Sequence, residues 1–185
     1  MRKIVLTFGL IAGAILSVIM VLSMALFHDH TGVESTGLIV GYTSMVLAFL
    51  MIYFGVRSYR DNVAGGTIRF GKAFGIGLMI ALVASVCYVA TWEVIYFKFM
   101  PDFADKYAAA AVDHARKSGA TDAQIAETVK KMDDFKVSYR NPLVNIAWTF
   151  LEPLPVGLIF TLVTAGVLSR KRKEEPGGLA GAAAR

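Results

Sequence analysis

The sequence predicts an all-α integral membrane protein, a four-helix bundle with an extracytoplasmic amphipathic helical hairpin between its third and fourth spans. Three observations carry that class. Hydrophobic residues make up 56% of the 185 positions and charged residues only 18%, where an ordinary soluble domain has roughly a quarter charged. Four long apolar runs divide the chain. The net charge of +5 gathers beside those runs, so it reads as membrane flanking and not as a nucleic-acid footprint. The single cysteine, Cys87, excludes an internal disulfide and a stapled secreted scaffold.

The spans are about 4–27, 38–56, 73–97 and 143–168. Roughly 20 residues at about 1.5 Å each cross a hydrocarbon core about 30 Å thick, and all four runs are long enough. Only Glu93 and Glu152 interrupt them with charge. Lipid leaves no backbone polar group a partner outside the chain, so the runs are helices or strands of a closed barrel. A barrel strand alternates apolar and polar residues; the run from Ile15 to Phe27 does not. Met1-Arg2-Lys3 gives a signal-peptide-like start, but the apolar run behind it exceeds the roughly 7–15 residues of a signal core. It is read as a retained span.

Orientation follows from the basic residues, which mark the cytoplasmic side of short loops. Arg2 and Lys3 precede the first span. Arg57, Arg60, Arg69 and Lys72 fill the loop after the second, and Arg170 to Lys173 follow the fourth. The loop 28–37 has no Lys or Arg. In 98–142, basic and acidic residues are interleaved. Both termini are therefore expected in the cytoplasm, and 98–142 outside. Residues 1–173 form one membrane domain, and the Gly/Ala-rich tail 174–185 is expected to be disordered.

The outer segment has the punctuation of two helices. Pro101-Asp102 suits a helix start, Gly119 a helix stop, and Thr121-Asp122-Ala123-Gln124 is a capping box. Phe103, Tyr107, Ala110, Ala111 and His114 recur at helical spacing in the first helix. Ile125, Val129, Met132 and Phe135 do so in the second. The two stripes are expected to pack as a cap on the bundle, or to lie on the membrane surface.

Glu152 is the most informative residue. It lies roughly 13–14 Å inside the outer end of the last span at helical rise. An acid at that depth is costly, so it is expected to face the bundle interior and to have a partner. Asn145, Trp148, Thr149 and Glu152 share one helical face. Pro153 and Pro155 then remove two backbone donors, and a polar stripe at a broken helix is a way to build a site at depth. Glu93, near the outer end of the third span, falls in the same layer, with Tyr42 on the second span and Tyr88 on the third. The candidate polar intramembrane site is thus Glu152, Glu93, Asn145, Thr149, Tyr42 and Tyr88.

Other features carry less. His28, Asp29, His30 and Glu34 are weakly spaced metal ligands, and no metal or cofactor is assigned. Gly9 and Gly13 form a small-xxx-small motif, which serves close packing within the bundle and also allows a homodimer seam. In the inner loop, Arg57 and Asp61 are spaced to pair, Gly65-Gly66 permits a sharp turn, and the basic residues attract anionic lipid headgroups. No HExxH, GxSxG, Cys pair or dinucleotide fingerprint is present.

The inner-loop string SYRDNVAGGTIRFGKAF, the third span ending YVATWEVIYF, the outer hairpin and the span after Asn141-Pro142 resemble a bacterial membrane-protein family known as domain of unknown function 4199. The resemblance covers about residues 1–173. It implies a bacterial inner-membrane protein of this architecture, and no activity or catalytic residue. The expectation is an accessory or structural protein without catalysis. The alternative is a transporter or channel subunit using the polar layer around Glu152 and Glu93; an intramembrane enzyme is third. The topology is testable by reporter fusions at Gly32, Gly65, Gly119 and the tail. Only Gly32 and Gly119 should report from outside; a cytoplasmic signal at Gly119 would overturn the assignment.

Overall fold

The structure, a computed structural model, describes residues 1–26 and 35–169. These form seven helices: α1 (Arg2–Leu26), α2 (Ser35–Asn62), α3 (Phe70–Lys98), α4 (Phe103–Lys117), α5 (Asp122–Tyr139), α6 (Pro142–Leu151) and α7 (Leu154–Leu168). Four segments are long and apolar enough to cross a membrane: Arg2–Ala25, Ile39–Asn62, Phe70–Lys98 and Pro142–Leu168, the last being α6 and α7 together. Among the described residues there is no strand. The readings of His28, Asp29, His30 and Glu34, and of the tail after Ser169, lie outside the described residues.

The helices differ from the expected runs where polar groups support the backbone. α2 continues past Val56 to Asn62. Arg57 Nε sits 3.5 Å from Asp61 Oδ2 one turn on, and Asn62 Nδ2 donates to the Ser58 carbonyl at 3.0 Å. Arg60 in the last turn meets the negative end of the helix dipole. Gly65 and Gly66, with φ of 68° and 88°, then turn the chain. Ile68, 8% exposed, pins the loop into the core, and α3 starts at Phe70. The last span is two helices, not one, because Pro153 and Pro155 cannot donate to the carbonyls of Thr149 and Leu151.

α3 is the central helix. On one side it runs parallel to α1 at close range. A Cβ on Gly9 would stand 2.7 Å from Val83 Cβ, and one on Gly13 2.6 Å from Cys87 Cβ. One turn further, Ser17 Oγ and Thr91 Oγ1 hydrogen-bond at 2.7 Å. Four-residue steps on α1 thus match four-residue steps on α3, and the Gly9/Gly13 motif is used inside the chain. On the other side α3 runs antiparallel to α6 and α7. A Cβ on Gly77 would meet Thr161 Cγ2 at 3.0 Å, and one on Gly157 would meet Ala81 Cβ at 3.1 Å. α2 closes the bundle against α1, α3 and α7. Phe49, Ile52, Val56, Ile76 and Ile80 fill its interior, while residues such as Leu10, Val18, Val86 and Ile159 stay on the outside.

α4 and α5 pack on each other as a hairpin. Gly119, with φ of 77°, ends α4. The Gly119 and Ala120 N–H groups donate back to the carbonyls of Arg116 and Ala115, a Schellman closure. The capping box forms: the Thr121 N–H donates to Gln124 Oε1 at 2.9 Å, and the Gln124 N–H to Thr121 Oγ1 at 3.4 Å. The buried stripe is rotated from the expected one. Ala104 and Ala108 are buried on α4 while His114 is exposed, and Val129 is 38% exposed on α5. The larger side chains gather at the end nearest the bundle, where Phe103 meets Tyr139 and Tyr107 meets Phe135. Gly13→Leu tests the α1–α3 seam. The leucine has no room against Cys87, and overpacking of this kind costs about 1–3 kcal/mol. The melting temperature in detergent should fall; an unchanged value would show that α1 is free to shift.

Candidate functional site

The hairpin is fastened to the bundle by an aromatic cluster. Trp92 and Tyr96 from α3 meet Phe103 and Tyr107 from α4 and Phe135 and Tyr139 from α5. The Trp92 and Phe103 rings are edge-to-face at 4.7 Å, and the Tyr96 and Tyr139 rings at 5.6 Å. Trp92, Tyr96 and Tyr139 are all buried. Asn141 starts α6 beneath this cluster, its Oδ1 accepting from the Leu143 N–H at 3.0 Å with Pro142 in the first turn.

A polar network runs through the cluster. Trp92 Nε1 donates to the Tyr139 hydroxyl at 2.9 Å and to Asn145 Oδ1 at 3.1 Å. Thr149 Oγ1 donates to the same Asn145 oxygen at 3.3 Å. Asn145 is fully buried and Thr149 nearly so. Burial pushes the Tyr139 hydroxyl pKa up to about 12, partly offset by its hydrogen bonds with Thr149 and Trp92. The Asn145 amide nitrogen has no partner among the described residues.

Glu152 has a partner but not the expected surroundings. The Tyr88 hydroxyl donates to Glu152 Oε2 at 3.0 Å. The residue nevertheless lies on the bundle's surface: Glu152 is exposed, as are Trp148, at 59%, and Leu151, at 56%. The expectation of an interior acid is corrected here. The stripe splits along its own edge: Asn145 and Thr149 turn inward, while Trp148 and Glu152, stepped to the other side of the same continuous helix, lie on the exposed border. At helical rise Glu152 stands about 15 Å from the Pro142 end.

The remaining candidates stand apart. Glu93 follows Tyr88 by five residues, which places it about 140° round the helix. It makes no bond to Glu152, and its Oε1 is buried without a partner among the described residues. Tyr42 is 57% exposed on α2 and makes no bond to this network. The six candidates therefore divide into the pair Glu152–Tyr88, the pair Asn145–Thr149, and two isolated residues. Sequence reasoning singled out neither Trp92 as a donor nor Tyr139. The spacing held both signals: Trp92 lies one turn from Tyr88, and Tyr139 one turn from Phe135. Among the described residues no group of His, Cys, Asp and Glu could hold a metal ion.

Fold and site together define an all-helical protein with four membrane-compatible spans and a polar layer of amide, hydroxyl and carboxyl groups. The chain belongs to the family described as protein of unknown function (DUF4199), whose model matches residues 7–170, as the inner-loop motif implied. Nothing matches among curated proteins or among solved structures. The family carries no assigned activity.

Trp92→Phe keeps an aromatic ring in the cluster and removes the indole N–H. It leaves the Asn145 oxygen and the Tyr139 hydroxyl short of a donor, at about 1–3 kcal/mol. Faster proteolysis within 98–142 is the expected result, with α1–α3 intact. Wild-type protection would show that ring packing alone holds the hairpin.

Proposed function

We propose that this protein is a non-catalytic accessory subunit of a bacterial inner membrane, with both termini cytoplasmic and the α4–α5 hairpin outside, and that it docks a transmembrane helix of a partner protein across Glu152. The observation that carries the reading is the outward-facing Glu152 carboxyl, held by Tyr88 at mid-span. A carboxyl facing hydrocarbon is costly unless covered. Both Glu152 oxygens are acceptors, and Pro153 and Pro155 supply no backbone N–H beside them. The helix that covers them must bring donors, such as a lysine, an arginine or an amide side chain at matching depth. The exposed Trp148 and Leu151 beside Glu152 give it an apolar surface to pack on. The basic residues at the Arg2, Arg57 and Lys72 end support the orientation.

Glu152→Leu separates docking from folding. Because Glu152 is exposed and bonds one hydroxyl, its loss costs the fold only an unpaired Tyr88, about 1–2 kcal/mol. The variant should accumulate and melt close to wild type, yet lose an interaction-dependent phenotype in deletion complementation. A photo-crosslinker at Leu151 should give a defined protein adduct that disappears in Glu152→Leu, while one at Val18 should not. Full complementation by Glu152→Leu would remove the proposal. A second reading, a transporter or channel subunit, draws on the same layer. It differs in predicting that Glu152→Gln, which keeps most hydrogen bonds, abolishes an ion-dependent phenotype.

A further inference from the structure

At the opposite end from the hairpin, a groove of about 440 Å³ lies between α1 and α2, lined by Phe8, Met51, Phe54, Arg57, Ser58, Asp61 and Asn62. Its chemistry is graded along its length. Met51 and Phe54 from α2 and Phe8 from α1 make an apolar half toward the middle of the span. Gly55 lets Phe8 lie close, since a Cβ there would stand 3.1 Å from the Phe8 ring. One to two turns on, the same face of α2 turns polar, with Ser58, Asp61 and Asn62 beside Arg57.

One carboxylate anchors two guanidinium groups. Asp61 takes Arg60 Nε at 2.7 Å on one oxygen and Arg57 Nε at 3.5 Å on the other. Both arginines thus turn Nε to one carboxylate, and neither pairs with another acid among the described residues. Arg57 is the more open, its side chain 53% exposed. Arg2, Lys3, Arg69 and Lys72 stand at the same end of the bundle with Asp61 as the local counter-charge, so the excess charge is strongly positive.

We propose that this groove seats one anionic phospholipid, its phosphate on the Arg57 Nη nitrogens and the Ser58 hydroxyl, and its upper acyl chain on Phe8, Met51 and Phe54. A guanidinium fork and a neighbouring hydroxyl suit phosphate oxygens. The apolar half continues in the direction an acyl chain takes from a headgroup at the membrane surface. The site is discrete, in contrast to the diffuse attraction of any basic loop to an anionic leaflet. It does not depend on Glu152.

The test uses the full chain, delipidated in a non-ionic detergent and supplied with phosphatidylglycerol, phosphatidylcholine of the same acyl chains, or inorganic phosphate. Native mass spectrometry and thermal melting are the readouts. Phosphatidylglycerol should give one retained adduct and a raised melting temperature, and phosphatidylcholine and inorganic phosphate neither. Arg57→Gln should lower adduct occupancy about tenfold, the equivalent of one strong polar contact. Phe54→Ala should weaken it without any change of charge. Arg69→Gln removes an equal charge outside the groove and should leave the adduct in place. Equal retention of the two lipids would overturn the proposal, and so would an Arg69→Gln loss as large as that of Arg57→Gln. Retention of inorganic phosphate alone would reassign the site to a soluble anion. Ser58→Ala, which leaves all charge intact, guards against misfolding of the arginine variant: it should weaken the adduct, and an undiminished adduct would count against the proposal.

Discussion

Everything in this fold is hung on α3, and α3 is fixed by how closely α1 can approach it. Between apolar helices in an apolar solvent, hydrophobic burial gives little reason to associate; contact distance and the few available hydrogen bonds decide. Gly9 and Gly13 remove side-chain bulk at the positions that meet Val83 and Cys87, and Ser17 and Thr91 close the seam with a hydrogen bond. With the register of α1 on α3 set, the other face of α3 is directed at α6 and α7, where Gly77 and Gly157 repeat the same device.

That arrangement decides which polar groups meet. Tyr88 and Trp92 are one turn apart on the face of α3 turned to the last span, so they find Glu152 and Asn145 respectively. Glu93, rotated away, finds no partner among the described residues. Trp92 also reaches Tyr139, and a single indole N–H thereby joins the bundle, the hairpin and the start of the last span. The polar layer is a consequence of helix register rather than of a separate binding domain.

The spans were legible because hydrocarbon imposes their length and composition, and the helix caps because Gly119, Thr121–Gln124 and Pro153–Pro155 act through local backbone chemistry. Rotation was less legible. Whether Glu152 faces inward or outward depends on where the buried face of α6 ends, and periodicity assigns a face without saying what lies against it. Val129 and His114 failed for a related reason: each lies at the edge of its stripe, and the burial of Ala104 and Ala108 beside that stripe on α4 is not marked by residue size. Tyr42 and Glu93 shared a depth with Glu152 but not a direction, and depth is the only coordinate a count along a span supplies.

The interruption at Pro153 divides the last span into pieces with different allegiances. α6 leans on α5 and α3, while α7 packs against α2 and α3, and the two touch each other only lightly. Mechanically, α6 is the stem of the hairpin and α7 is part of the wall. The joint between them lacks two of the backbone bonds that stiffen a continuous helix, and Glu152 sits on the joint. The carboxyl and its Tyr88 bond therefore lie where the stem and the wall meet, and they tie that joint to α3.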